Sequence, residues 1–121
     1  MTFLSLFFVL IVASLQLYFM VLEMHFWSKP LGLKIFRQNR EDAEKSKALA
    51  QNQGLYNGFL ASGLIWGLLH PEASMGFQIK FCFLLFVIVA GLYGAWTVSK
   101  KIFFVQALPA IVALTLVLFS H

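Results

Sequence analysis

The side chains able to do chemistry are few and gathered in two places. Glu23 is a carboxylate inside a long apolar run. Gln16 stands seven residues before it and Trp27 four after, which puts all three on one stripe of a helix. His25, two residues from Glu23, points to another face. The densest group is Gln51-Asn52-Gln53-Gly54-Leu55-Tyr56-Asn57-Gly58. Within it Asn52 and Tyr56 are neighbours one turn apart, as are Gln53 and Asn57. Amides and a phenol at the depth of a carboxylate have two uses. They clamp helices together, at about 0.6 kcal/mol per interhelical hydrogen bond, or they line a polar pocket for the head of a ligand. Arg37 and Arg40 stand just ahead of the block and add affinity for an anion. Glu23, Arg37, Arg40, Asn52, Gln53, Tyr56 and Asn57 are therefore the candidate ligand-binding set, with clamp and pocket both open. No residue is assigned a catalytic role.

Other chemistry is not expected. No nucleophile, base and orienting group stand at a usable spacing. His25, His70 and His121 fall at different depths, so no metal site is predicted, and His70 with Glu72 is too sparse to hold an ion. Cys82 is the single cysteine, sits in Lys-Phe-Cys-Phe-Leu, and has no partner for a disulfide within the chain. There is no phosphate-binding loop and no dinucleotide fingerprint. A single internal carboxylate and the lack of paired broken helices leave a small transporter as a third reading behind a binding protein and a non-catalytic scaffold.

The elements that must position these residues are long apolar helices. A membrane-spanning helix needs about 20 mostly apolar residues for about 30 Å of hydrocarbon. Four segments are read as such, at about residues 3–26, 49–69, 77–98 and 102–119. None alternates polar with apolar, as barrel strands do. The expectation is an all-α, four-transmembrane-helix bundle in one domain covering 1–121. The first run has no Lys or Arg before Lys29 and exceeds the core of a signal peptide, so it is read as a retained helix. Composition agrees: 60% of residues are hydrophobic and 12% charged, where soluble domains run near a quarter charged.

Charge sets the expected orientation. Of the nine Lys and Arg, Lys29, Lys34, Arg37, Arg40, Lys45 and Lys47 follow the first run, and Lys100 and Lys101 follow the third. Only Lys80 is near the second loop. The bias puts the first and third loops in the cytoplasm and both termini outside, as in a multi-pass membrane protein. The net charge of +4 is then a topology signal. Nucleic acid is not an expected partner, because the basic residues are mixed with Glu41, Asp42 and Glu44.

The loop at 28–48 is the only soluble segment of any size. Trp27, Pro30 and Gly32 mark an interface and a break. Leu33, Ile35 and Phe36, with Lys34 and Arg37, predict a short element on the headgroups. Asn39 is the expected N-cap of a helix starting near Arg40, with Glu41, Asp42 and Glu44 early in it and Glu41–Lys45 as a pair. Further on, Gly54, Gly58 and Ser62, then Gly63 and Gly67, then Ala90 and Gly94 beside Gly91, make faces that allow close helix approach. The partner of each face, in this chain or in a second copy, is left open, and a homo-oligomer is expected. Pro109 after Gln106 predicts a kink.

Several strings resemble a known family. Leu-Glu-Met-His-Phe-Trp (22–27), Asn-Gln-Gly-Leu-Tyr-Asn-Gly-Phe-Leu-Ala-Ser-Gly-Leu-Ile-Trp-Gly-Leu (52–68), Ala-Gly-Leu-Tyr-Gly (90–94) and Val-Gln-Ala-Leu-Pro-Ala (105–110) resemble the DUF1304 family of small integral membrane proteins. That resemblance covers nearly the whole chain and implies the membrane class, with no reaction attached. The arrangement of spans and basic first loop is also similar to the MAPEG proteins, the membrane-associated eicosanoid and glutathione enzymes. That second similarity implies a trimer, a lipophilic substrate, a glutathione-like thiol cofactor and a pocket between protomers near the cytoplasm. Glu23, Arg37, Arg40, Lys47, Asn52 and Tyr56 would lie in that region.

Overall fold

The computed structural model describes residues 2–120, so His121 lies outside the described residues. The order is α1 (Phe3–His25), α2 (Pro30–Phe36), α3 (Arg40–Leu69), α4 (Ala73–Thr97), then a π-helical turn (Phe103–Ala107) that runs into α5 (Leu108–Phe119). No strand occurs among the described residues, and the all-α expectation holds.

Among the described residues two helices, α1 and α4, are long and apolar enough to cross a membrane. The other two apolar segments fall short of that measure for different reasons. The amides and glycines of the 51–58 block dilute the hydropathy of α3, although it is 30 residues long. The fourth segment is interrupted and leaves an apolar stretch of Phe103–Phe119. Pro109 offers no N–H to the ladder. The N–H of Leu108 instead reaches back to the carbonyl of Phe103, which widens the turn just before the proline.

Helix ends follow local chemistry. Oγ1 of Thr2 accepts the N–H of Ser5 at 3.1 Å at the start of α1. Pro30 opens α2, where its missing N–H costs nothing. Arg37 ends α2 in the left-handed region, φ 52° and ψ 49°, with its N–H on the Leu33 carbonyl. Among the described residues it is the only non-glycine with positive φ. Asn39 caps α3: its Oδ1 accepts the Asp42 N–H at 2.8 Å. Glu41 and Asp42 occupy the positive end of the helix, and Lys45 meets Glu41 at 3.5 Å on the exposed side.

The chain divides into two compact units, each holding part of α1 and of α3. One comprises the chain up to Leu15 and from Leu60 onward. Its core is apolar: Val9, Val12, Ala13, Leu64, Leu84, Val87, Ala110, Ala113 and Val117 are buried together. Glycines set the spacing there. A Cβ on Gly63 would run into the Phe83 ring, and one on Gly91 would lie 2.7 Å from the Ala107 nitrogen.

The other unit is Gln16–Phe59. Here α3 buries small residues: Ala43, Ala50, Gly54, Asn57 and Gly58. Ala43, Ala50 and Asn57 recur at seven-residue spacing, the period of a close helix–helix seam. Trp27 fixes the chain after α1: its Nε1 donates to Ser46 Oγ at 3.0 Å and its ring meets Phe36 at 4.7 Å between centroids. Gly32 of α2 is pressed against the Phe26 carbonyl, where no Cβ fits.

Candidate functional site

All seven candidate ligand-binding residues fall in the Gln16–Phe59 unit, and the fold sorts them into three groups. The first is inward. Asn57 is 4% exposed, and its Nδ2 donates to Oε1 of Glu23 on α1. On α3, Gly54 about a turn before Asn57 and Gly58 directly after it make room for α1 side chains. A Cβ on Gly54 would lie 2.7 Å from Met24 Cγ, and one on Gly58 would lie 2.7 Å from Met20 Sδ. The thioether chains of Met20 and Met24 thus bracket a carboxylate–amide pair, and methionine suits that irregular space.

The second group faces outward. Asn52, Gln53 and Tyr56 are exposed on α3. The Tyr56 ring lies 6.0 Å from that of Phe59, which is exposed as well. The third group is basic. Arg37 and Arg40 are exposed at the end of α2 and the start of α3, two residues on either side of the Gln38–Asn39 step. The arrangement holds one internal hydrogen-bonded carboxylate, an open row of amides and a phenol, and two guanidinium groups. Such a set is suited to holding a polar or anionic head. Among the described residues no three metal-capable side chains converge.

The small-residue positions distribute as follows. Gly54 and Gly58 meet α1, Gly63 and Gly67 meet α4, and Gly94 meets Ile102. Each of these contacts lies within the chain. Ser62 is exposed while Ala61 beside it is fully buried, and Ala90 is half-buried while Gly91 makes the close approach.

Two features were not read from the sequence. The bond from Trp27 to Ser46 links residues 19 apart; the visible signal was an interface tryptophan, with nothing to name its acceptor. The left-handed Arg37 has no sequence signal, because glycine or asparagine is the usual residue there.

These features define an all-helical chain with two helices able to cross a membrane and a polar unit built around one internal carboxylate. A family model described as "Protein of unknown function (DUF1304)" matches residues 10–118, and the chain belongs to that family. Uncharacterized protein YpaA of Lactococcus lactis subsp. lactis (strain IL1403) is 35% identical over 116 residues, covering 94% of this chain and 96% of the relative. No solved structure matches.

Proposed function

We propose that the chain is a four-span integral membrane protein that binds a lipophilic ligand through its polar unit. The first and third loops lie in the cytoplasm, both termini lie outside, and the protein assembles as a homo-oligomer in a bacterial inner membrane. The observation that carries this reading is the division of the amide block. Asn57 alone turns in to hold Glu23, while Asn52, Gln53 and Tyr56 stay open. A clamp uses the inward amide and has no need of the outward ones. Side chains of this kind at membrane depth normally face protein, water or a polar ligand. Arg37 and Arg40 supply a positive rim for the head, and the apolar helices supply a surface for the tail. The eight-to-one bias of Lys and Arg supports the orientation.

The test is thermal unfolding of the full chain in a neutral detergent, with a bacterial lipid extract and reduced glutathione as separate probes. A rise in melting temperature is expected with one of them and is lost in Asn52→Ala and Arg40→Ala, both exposed and so expected to fold. Variants that fold and respond as the parent does would remove the site.

A non-catalytic scaffold is the second reading, in which the polar unit serves helix packing alone and Gly54 and Gly58 seat Met24 and Met20 of the same chain. It predicts that Gly58→Leu disrupts the fold while Asn52→Ala shifts stability alone.

A further inference from the structure

The short helix α2 lies wholly within the Gln16–Phe59 unit and is held at its start, middle and end. Pro30 fixes its first turn. Gly32 rests on the Phe26 carbonyl so closely that no Cβ fits. The Phe36 ring lies 4.7 Å from that of Trp27, whose indole N–H is bound in turn to Ser46 of α3. Gly32 and Phe36 stand one turn apart, so these contacts set which side of the helix looks inward. Leu31, Lys34 and Ile35 occupy the other side. Leu31 is 48% exposed and Ile35 40%, with the exposed Lys34 beside them.

The charge around this face has one sign. From His25 to Arg40 the chain carries Lys29, Lys34, Arg37 and Arg40 and no Asp or Glu. Lys29 is engaged with the Phe26 ring, 5.6 Å from its centroid. Lys34 enters no ion pair among the described residues. The depth of the face follows from α1. That helix has 23 residues, a length of about 34 Å, enough for a hydrocarbon layer of about 30 Å. A helix packed on the end of such a span meets the headgroup layer. There aliphatic side chains enter the acyl boundary while a lysine stem carries its charge out to the phosphates. An acidic partner protein would match the lysine. The aliphatic pair beside the end of a span favours lipid.

We infer that α2 docks on anionic phospholipids of the leaflet where α1 ends, with Leu31 and Ile35 in the acyl boundary and Lys34 on the phosphate. The sequence pattern put this element on headgroups without giving the face it turns to them or a lipid class. The inference rests on α1 crossing the bilayer, as the proposed function has it, and makes no use of Glu23 or the open amides.

The test is lipid binding to the full chain in a neutral maltoside detergent, followed by native mass spectrometry. The probes are palmitoyl-oleoyl phosphatidylglycerol, the phosphatidylcholine with the same chains, glycerol 1-phosphate and a hexaglutamate peptide. Phosphatidylglycerol binds at least about fivefold more tightly than phosphatidylcholine, the span of one cation near a phosphate. The preference falls toward one as ammonium acetate rises from about 0.05 M to about 0.5 M, where screening is short-ranged. The exposed Lys34→Gln removes most of it and Lys34→Arg keeps it. Leu31→Asn weakens both phospholipids alike, and Asn52→Ala leaves the preference intact. Equal binding of the two phospholipids, or an undiminished preference in Lys34→Gln, overturns the inference and leaves the amide site standing. A preference lost in Asn52→Ala and kept in Lys34→Gln moves the lipid to the amide block and overturns it too. Glycerol 1-phosphate or the peptide binding as tightly as phosphatidylglycerol would make the face a general anion site and overturn the assignment to lipid. A chain that stays in solution without detergent would overturn the proposed function and this inference with it.

Discussion

The two units solve the same problem of helix contact by different means. In the apolar unit, Leu64, Leu84 and Val87 fill space, and glycines meet rings and backbone. In the Gln16–Phe59 unit, α3 presents Ala43, Ala50, Gly54 and Gly58, and contact is completed by hydrogen bonds from Asn57 and Trp27. The same helix thus changes character along its length. Where shape decides, an added atom is the main hazard. Where hydrogen bonds decide, the hazard is a partner left buried without its mate.

This contrast orders the expected effects of substitution. The largest belongs to the apolar unit. Gly91→Val places its side chain against backbone atoms of Ala107, 2.7 to 3.0 Å from the Cβ position. It should cost about 3 kcal/mol, measured by denaturant titration in detergent. Gly54→Ala meets the flexible Met24 first, at 2.7 Å, and should cost roughly half as much. Equal costs would erase the distinction between the units.

Next comes the polar pair. Glu23→Ala leaves the Asn57 amide buried without its acceptor, at about 2 kcal/mol. Glu23→Gln keeps a carbonyl acceptor and should cost less than half of that. A double-mutant cycle with Asn57→Ala should return a coupling of about 1 kcal/mol. Zero coupling would mean that the pair holds nothing together.

Arg37→Gly is expected to act in the opposite direction. It relieves the left-handed backbone at φ 52° and should stabilise the chain by about 1 kcal/mol. A gain in stability together with a loss of ligand response would tie the guanidinium to the polar site. The smallest effect is that of Lys45→Ala. Its pairing with Glu41 is exposed on both sides, and such pairs contribute little, so melting should stay within the error of the measurement.

Much of the helix order was legible because its signals are local. Asn39 ahead of Glu41 and Asp42 marked the start of α3 at Arg40. Pro30 marked a break after the first span, where the structure also starts α2, and Pro109 marked a kink. The break itself took the form of a π-helical turn, because the lost N–H of Pro109 is absorbed over the preceding residues. The order of the spans placed Glu23 and the amide block at one depth, and it left clamp and pocket both open for Asn52, Asn57 and Tyr56. Choosing among them needs the rotation of α3 about its own axis. Gly54 and Gly58 set that rotation by admitting Met24 and Met20, a fit between side chains that spacing alone does not encode. Lys80 was legible only as a charge near a loop; its burial depends on where Gly67 and Gly76 bring α3 and α4 together.

The central claim is that the open amides of the polar unit hold a ligand. Native mass spectrometry of the full chain, released from gently extracted membranes, tests it most directly. The account predicts an oligomer carrying a lipid- or thiol-sized adduct, with the adduct lost in Asn52→Ala and Arg40→Ala while the oligomer persists. A bare monomer, or an adduct retained in both variants, would contradict it.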